Sequence, residues 1–90
     1  MNASRTVVIC NQRGLHARAS ARFVEIATRF EARVAVARDG EEVAADSIME
    51  LLMLAAGAGS SITIRADGAD AESAVAELAS LVENGFGENG

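Results

Sequence analysis

Ninety residues, half of them apolar, with a formal charge of −5, suit one domain built on a single core. The acidity argues against nucleic acid as the main partner, because a phosphate backbone calls for a basic stripe. Three Phe with no Trp or Tyr also leave no stacking platform for RNA. All eight positive residues are Arg, which genome composition explains as readily as chemistry does. A single cysteine, Cys10, rules out an internal disulfide and fits a reducing cytosol. No signal peptide is apparent at Met1–Arg5, and no apolar run approaches the roughly 18 residues that suggest a membrane span. A cytoplasmic protein without membrane insertion is therefore expected.

The first element read along the chain is a strand over Arg5–Cys10, carried by Val7-Val8-Ile9, with Cys10 as a small buried residue. A polar loop, Asn11-Gln12-Arg13-Gly14, follows. Leu15, Ala19, Phe23, Ile26, Ala27 and Phe30 then recur at spacings of three and four, which predicts a helix over about His16–Arg29. Arg33–Arg38 alternates as a half-buried strand, Asp39-Gly40 is a two-residue hairpin signal, and Glu41–Ala44 is the returning strand. Ser47-Ile48-Met49-Glu50 matches a capping box, so a short helix runs from Ile48 to about Ala56. That helix is apolar nearly all the way round and should leave some of Ile48, Met49, Leu52 and Met53 on an exposed patch. Ser60–Ala66 alternates again with Ile62 and Ile64 inward. Asp70 is a good N-cap for a last helix that buries Ala74, Val75, Leu78, Leu81 and Val82 and closes at Asn84-Gly85. Residues 86–90 read as a flexible tail. The order β-α-β-β-α-β-α predicts an α+β layer pair: three helices on one face of a four-stranded antiparallel sheet.

The chemistry-bearing stretch is Gly14-Leu15-His16-Ala17-Arg18, which holds the one histidine, with Arg13 and Arg22 nearby. It delivers an imidazole to the first turn of a helix, where unpaired N–H groups favour an anion. A nucleophilic ring nitrogen in such a seat suits phosphoryl transfer. The residues alone leave a second reading open, in which His16 merely caps the helix. Arg18 is equally a solvated helix residue or a bidentate partner for phosphate oxygens. Arg13 and Arg22 are electrostatic background. Ser47 is fully explained as an N-cap, yet a phosphate there would place about two negative charges amid the apolar patch. One His and one Cys make no metal constellation, and no cofactor is expected.

Asn11–Arg18 resembles the active-site loop of the HPr family, the histidine-containing phosphocarriers of the bacterial phosphotransferase system. Asp46-Ser47-Ile48-Met49 resembles that family's regulatory serine segment. The element order, the Gly-Ala-Asp before the last helix and the Gly-Phe-Gly-Glu segment also fit, so the likeness spans nearly the whole chain. The resemblance implies an open-faced β-sandwich and a carrier that is not itself an enzyme. It implies that His16 takes a phosphoryl group on Nδ1 from enzyme I, which is charged by phosphoenolpyruvate, and passes it to a histidine of a IIA protein. Arg18 and the Ala17 and Arg18 amides would hold the phosphate. Arg22, Ile48, Met49 and Leu52 would form the docking surface, and Ser47 would be a target of HPr kinase/phosphorylase. A monomer is expected. Ala19 stands where the family usually has proline, and Ala19-Ser20 resembles nitrogen-type regulatory variants, which tilts the expectation toward a regulatory relay. The two residues beyond Glu88 put any terminal-carboxylate role in doubt. The alternative is a binding module that acts through Ser47 and the Met-rich helix, with His16 idle.

Overall fold

A computed structural model describes residues 1–88. Its strands are β1 (Asn2–Val8), β2 (Arg33–Arg38), β3 (Glu41–Ala44) and β4 (Ser61–Asp67), and its helices are α1 (Ala17–Ala27), α2 (Ile48–Met53) and α3 (Ala71–Glu83). The strands form one antiparallel sheet in the order β1-β4-β2-β3. The helices cover one face of it, which is the expected open-faced sandwich.

Strand alternation divides the two faces. Val7, Val36, Ile62, Ile64 and Ala66 are buried in a core completed by Phe23 and Ile26 of α1, Leu51 of α2, and Val75, Leu78 and Val82 of α3. The other face is polar: the Thr6 and Thr63 hydroxyls share a hydrogen bond at 2.9 Å, and Arg65 pairs with Glu42 at 3.1 Å. The hairpin turn places Asp39 and Gly40 at φ 50° and 85°, the left-handed pair that a type I′ turn requires.

Three boundaries and one cap differ from the sequence reading, most of them through contacts distant in the chain. β1 begins earlier and ends at Val8, because polar Asn2 and Ser4 pair with Asp67 and Arg65 of β4. Cys10 therefore lies beyond the strand and is exposed, with its thiol aimed at the Val82 and Glu83 carbonyls that end α3. α1 stops at Ala27, where the Thr28 hydroxyl donates back to the Val24 carbonyl at 2.9 Å. α2 is only six residues long: Ala55 turns to φ 51°, and the Arg38 guanidinium caps the Leu54 carbonyl at 2.9 Å. Asp70 precedes α3 without a side-chain cap bond; its carboxylate instead accepts from the Glu31 N–H at 2.8 Å. The sheet and the connection after α1 thus claim groups that local propensity assigns to caps.

Candidate functional site

The loop between β1 and α1 is held from below. The Gly14 N–H donates to the Asn11 carbonyl at 3.2 Å, and the Leu15 N–H donates to the Ala56 carbonyl at 2.9 Å. Gly14 has φ 65°, and a Cβ there would lie 2.5 Å from the Ala56 oxygen and 2.7 Å from the Gly57 Cα. Only glycine meets both the left-handed backbone and this close approach. Buried Ser20 fastens the other side by donating to the Leu15 carbonyl at 3.2 Å.

His16 is the N-cap of α1, and its Nδ1 accepts from the Arg18 N–H at 3.2 Å. Nδ1 therefore carries no proton, and the ring proton lies on Nε2, which faces the Glu88 carboxylate. The capping role and the chemical role are compatible, since the cap bond is what keeps Nδ1 unprotonated at the helix N-terminus. Among the described residues, neither the Ala17 nor the Ala19 N–H has a backbone acceptor, so both belong to the orphan donors of the first turn.

Glu88 reaches the ring from a tight turn over Gly85–Gly87, where Phe86 adopts φ 56° and packs partly against the core. The described part of the expected flexible tail is thus bonded into the site; Asn89 and Gly90 lie outside the described residues. The other Glu88 oxygen accepts from Asn11 Nδ2 at 3.0 Å. The hydrogen bonds from Asn11 and His16, with the charge of Arg13, hold the Glu88 carboxyl below its ordinary range against the opposing effect of burial. Arg18, Ala19 and Arg22 face Phe86, Gly87 and Glu88 across a shallow cleft of about 280 Å³. Among the described residues, neither Arg18 nor Arg22 forms an ion pair, which leaves two guanidinium groups lining the cleft with Glu88. No group of three or more potential metal ligands occurs among the described residues.

α2 packs beside α1. Its buried residue is Leu51, while Ile48, Met49 (69% exposed) and Met53 (76% exposed) face outward and Leu52 is half-buried. Ser47 caps this helix, its Oγ accepting from the Glu50 N–H at 3.3 Å. Among the described residues, the return bond expected of a full capping box is not formed.

The family model described as the PTS HPr component phosphorylation site matches residues 3–84. The chain belongs to the HPr family. It is 46% identical over 84 residues to the phosphocarrier protein HPr of Cupriavidus necator, covering 93% of this chain and 94% of the relative. It is 38% identical over 84 residues to the phosphocarrier protein NPr of Shewanella violacea, covering 93% and 92%. Among solved structures, HPr from Thermoanaerobacter tengcongensis superposes with a TM-score of 0.92 at 38% identity, covering 97% of this chain and 98% of that one. HPr from Bacillus anthracis superposes with a TM-score of 0.86 at 43% identity, covering 90% and 96%. Both HPr-named and NPr-named relatives therefore align along nearly the whole chain.

The structure brings Arg18 and Arg22 to one cleft with Glu88, which bonds His16, while Ser47 caps the neighbouring helix. Sequence reasoning missed Glu88 and Asn11. Their hydrogen bond spans 77 positions, so no local pattern marks it. The Gly85-Phe86-Gly87 triplet was the available signal, since two glycines around a buried-type aromatic describe a folded turn better than a loose end.

Proposed function

We propose that the protein is a relay carrier: His16 accepts a phosphoryl group from phosphorylated enzyme I and delivers it to a histidine of a IIA protein. The observation that carries this reading is the ring itself, with Nδ1 unprotonated at the N-terminus of α1 and Nε2 occupied by Glu88. In the forward step the Nδ1 lone pair bonds to phosphorus, and the donor's P–N bond breaks with its electron pair returning to the donor nitrogen. As the N–P bond forms, the Arg18 N–H exchanges Nδ1 for a phosphoryl oxygen, and the Ala17 N–H and Arg18 guanidinium supply further donors. The Ala19 N–H adds a donor that proline at this position would lack. Transfer onward reverses the electron flow.

Exposed Ile48 and Met49 with half-buried Leu52 support a docking role for this face of α2, with Arg22 of α1 supplying charge. Both partners must present the same complement, because donor and acceptor use the carrier in turn. Ser47 is a regulatory phosphorylation site in this reading, open to an HPr kinase/phosphorylase, and a phosphate there sets charge next to the apolar patch. The carrier works in the cytoplasm as a monomer, without a cofactor. Incubation with enzyme I and phosphoenolpyruvate tests the reading: an acid-labile, base-stable label is expected, absent from a folded His16→Ala variant. An unlabelled wild-type protein, or a label that persists in the variant, would overturn it.

A further inference from the structure

Ser20 is fully buried in α1, where its hydroxyl needs an acceptor. Within a helix that acceptor is ordinarily the carbonyl three or four residues back. Ser20 instead reaches five back and donates to the Leu15 carbonyl at 3.2 Å, while its N–H takes the His16 carbonyl at 2.8 Å. The Leu15 carbonyl is also the acceptor four residues before the Ala19 N–H. A bond between those two would carry the helix one residue further, through His16. Among the described residues that bond is not formed. His16 keeps the extended conformation of an N-cap, φ −77° and ψ −178°, and its Nδ1 meets the Arg18 N–H.

We infer that Ser20 is a positioning residue of the relay: its hydroxyl holds the Leu15 carbonyl out of the helix and so keeps the Ala19 N–H free for the phosphoryl group on His16. This rests on the carrier reading and adds a buried side chain that bonds the loop and not the ring. The choices open to the loop show why a hydroxyl is needed there. Alanine at position 19 has an N–H to give and no ring to push a carbonyl away, so nothing at that residue bars the extra helical bond. The Leu15 N–H is fixed to the Ala56 carbonyl at 2.9 Å, which leaves the Leu15 carbonyl to be claimed from α1. Without the hydroxyl, that carbonyl either goes unpaired or takes the Ala19 N–H. Taking it would make His16 helical backbone and swing the imidazole off the amides. With the hydroxyl in place, the Ala17, Arg18 and Ala19 N–H groups are all available to one anion.

The test uses the full chain and phosphoramidate, which transfers its phosphoryl group to Nδ1 and leaves as ammonia, so that enzyme I is not required. Amide hydrogen exchange and NMR shifts are read at Ala17, Arg18 and Ala19. In wild type the Ala19 N–H is expected to exchange rapidly before phosphorylation and to move downfield with its two neighbours after it. In Ser20→Ala it should be protected before phosphorylation, bonded to the Leu15 carbonyl, and should move little after it. The equilibrium should also shift about tenfold toward phosphoramidate, the effect of losing one hydrogen bond to a charged group. Ala19→Pro removes the N–H outright and bars the bond to Leu15. In that background Ser20→Ala should change the equilibrium by less than about twofold, a coupling that a merely structural serine would not show. An Ala19 N–H already protected in wild type would overturn the inference. So would one that responds to phosphorylation equally with and without the hydroxyl. If Ser20→Ala does not fold, Ser20→Cys, which keeps the volume and only a weak donor, is read in its place. Failure of enzyme I to label the wild type would count against the relay alone, because the exchange and phosphoramidate readings stand without it.

Discussion

A methyl group at position 14 meets backbone on the opposite wall, which makes Gly14→Ala the substitution least able to be absorbed by side-chain motion. The left-handed conformation costs an alanine about 1–2 kcal/mol, and the overlap with Ala56 and Gly57 forces the loop or the segment after α2 to shift. Gly14→Ala is expected to lower stability by about 2–3 kcal/mol, read from urea denaturation midpoints. The Leu15–Ala56 bond lies beside the overlap, so labelling of His16 should fall as well. Glu88 gives a prediction in pH. Its carboxyl is held below the ordinary value of 4.5 in the folded chain, so it contributes stability that is present above the unfolded value. That contribution is lost as pH falls through the folded value. The stability gap between wild type and Glu88→Gln should therefore be constant above about pH 6 and close progressively below about pH 4.5. A gap that widened on acidification would contradict the sign.

α2 shows how one short element serves stability and recognition with different faces. Six residues are too few to be helical on propensity alone. Its persistence rests on buried Leu51, the Ser47 cap and the Arg38 guanidinium at its far end. Ser47→Ala should cost about 1 kcal/mol, the ordinary value of an N-cap hydroxyl. Ser47→Asp retains an acceptor of similar capping strength, so its stability is expected within about 0.5 kcal/mol of wild type. Its enzyme I-dependent labelling should nevertheless slow, because the new charge adjoins Ile48 and Met49. Measuring both variants separates the cap from the charge; equal labelling in Ser47→Asp and wild type would remove Ser47 from the docking argument. Much of this level was legible in the sequence. Asp39-Gly40 encodes its own turn, and the capping serine and the crowded apolar positions of α2 are local signals. The end of α2 was not legible, because Arg38 and the left-handed Ala55 set it. The reach of β1 was not legible either, because β4 recruits polar residues that have little strand preference of their own.

Across the molecule, the histidine loop was the most readable part of the site, and what completes it was the least readable. Gly14-Leu15-His16-Ala17-Arg18 announces a ring at a helix N-terminus, and the structure places it there. The floor from Ala56 and Gly57, the amide of Asn11 and the carboxylate of Glu88 come from three further places in the chain, joined only by the finished fold. The charge pattern follows the same division. A chain of formal charge −5 gathers Arg13, Arg18 and Arg22 around one carboxylate and one imidazole. That corner is therefore a locally basic surface on an acidic body.

The Leu15–Ala56 bond described above has a consequence for the order in which the molecule is made. During synthesis the histidine emerges early, but its floor is some forty residues later and its carboxylate more than seventy. β1 must also wait for β4 before the sheet can position the loop. Loop closure of this length precedes any reward from the contacts it brings together. A nascent chain therefore carries the imidazole long before it carries the groups that fix it, and the assembled site arrives only with the last turn. The chemistry cannot be excised as a peptide, because the eight residues that hold it owe their shape to the other end of the chain.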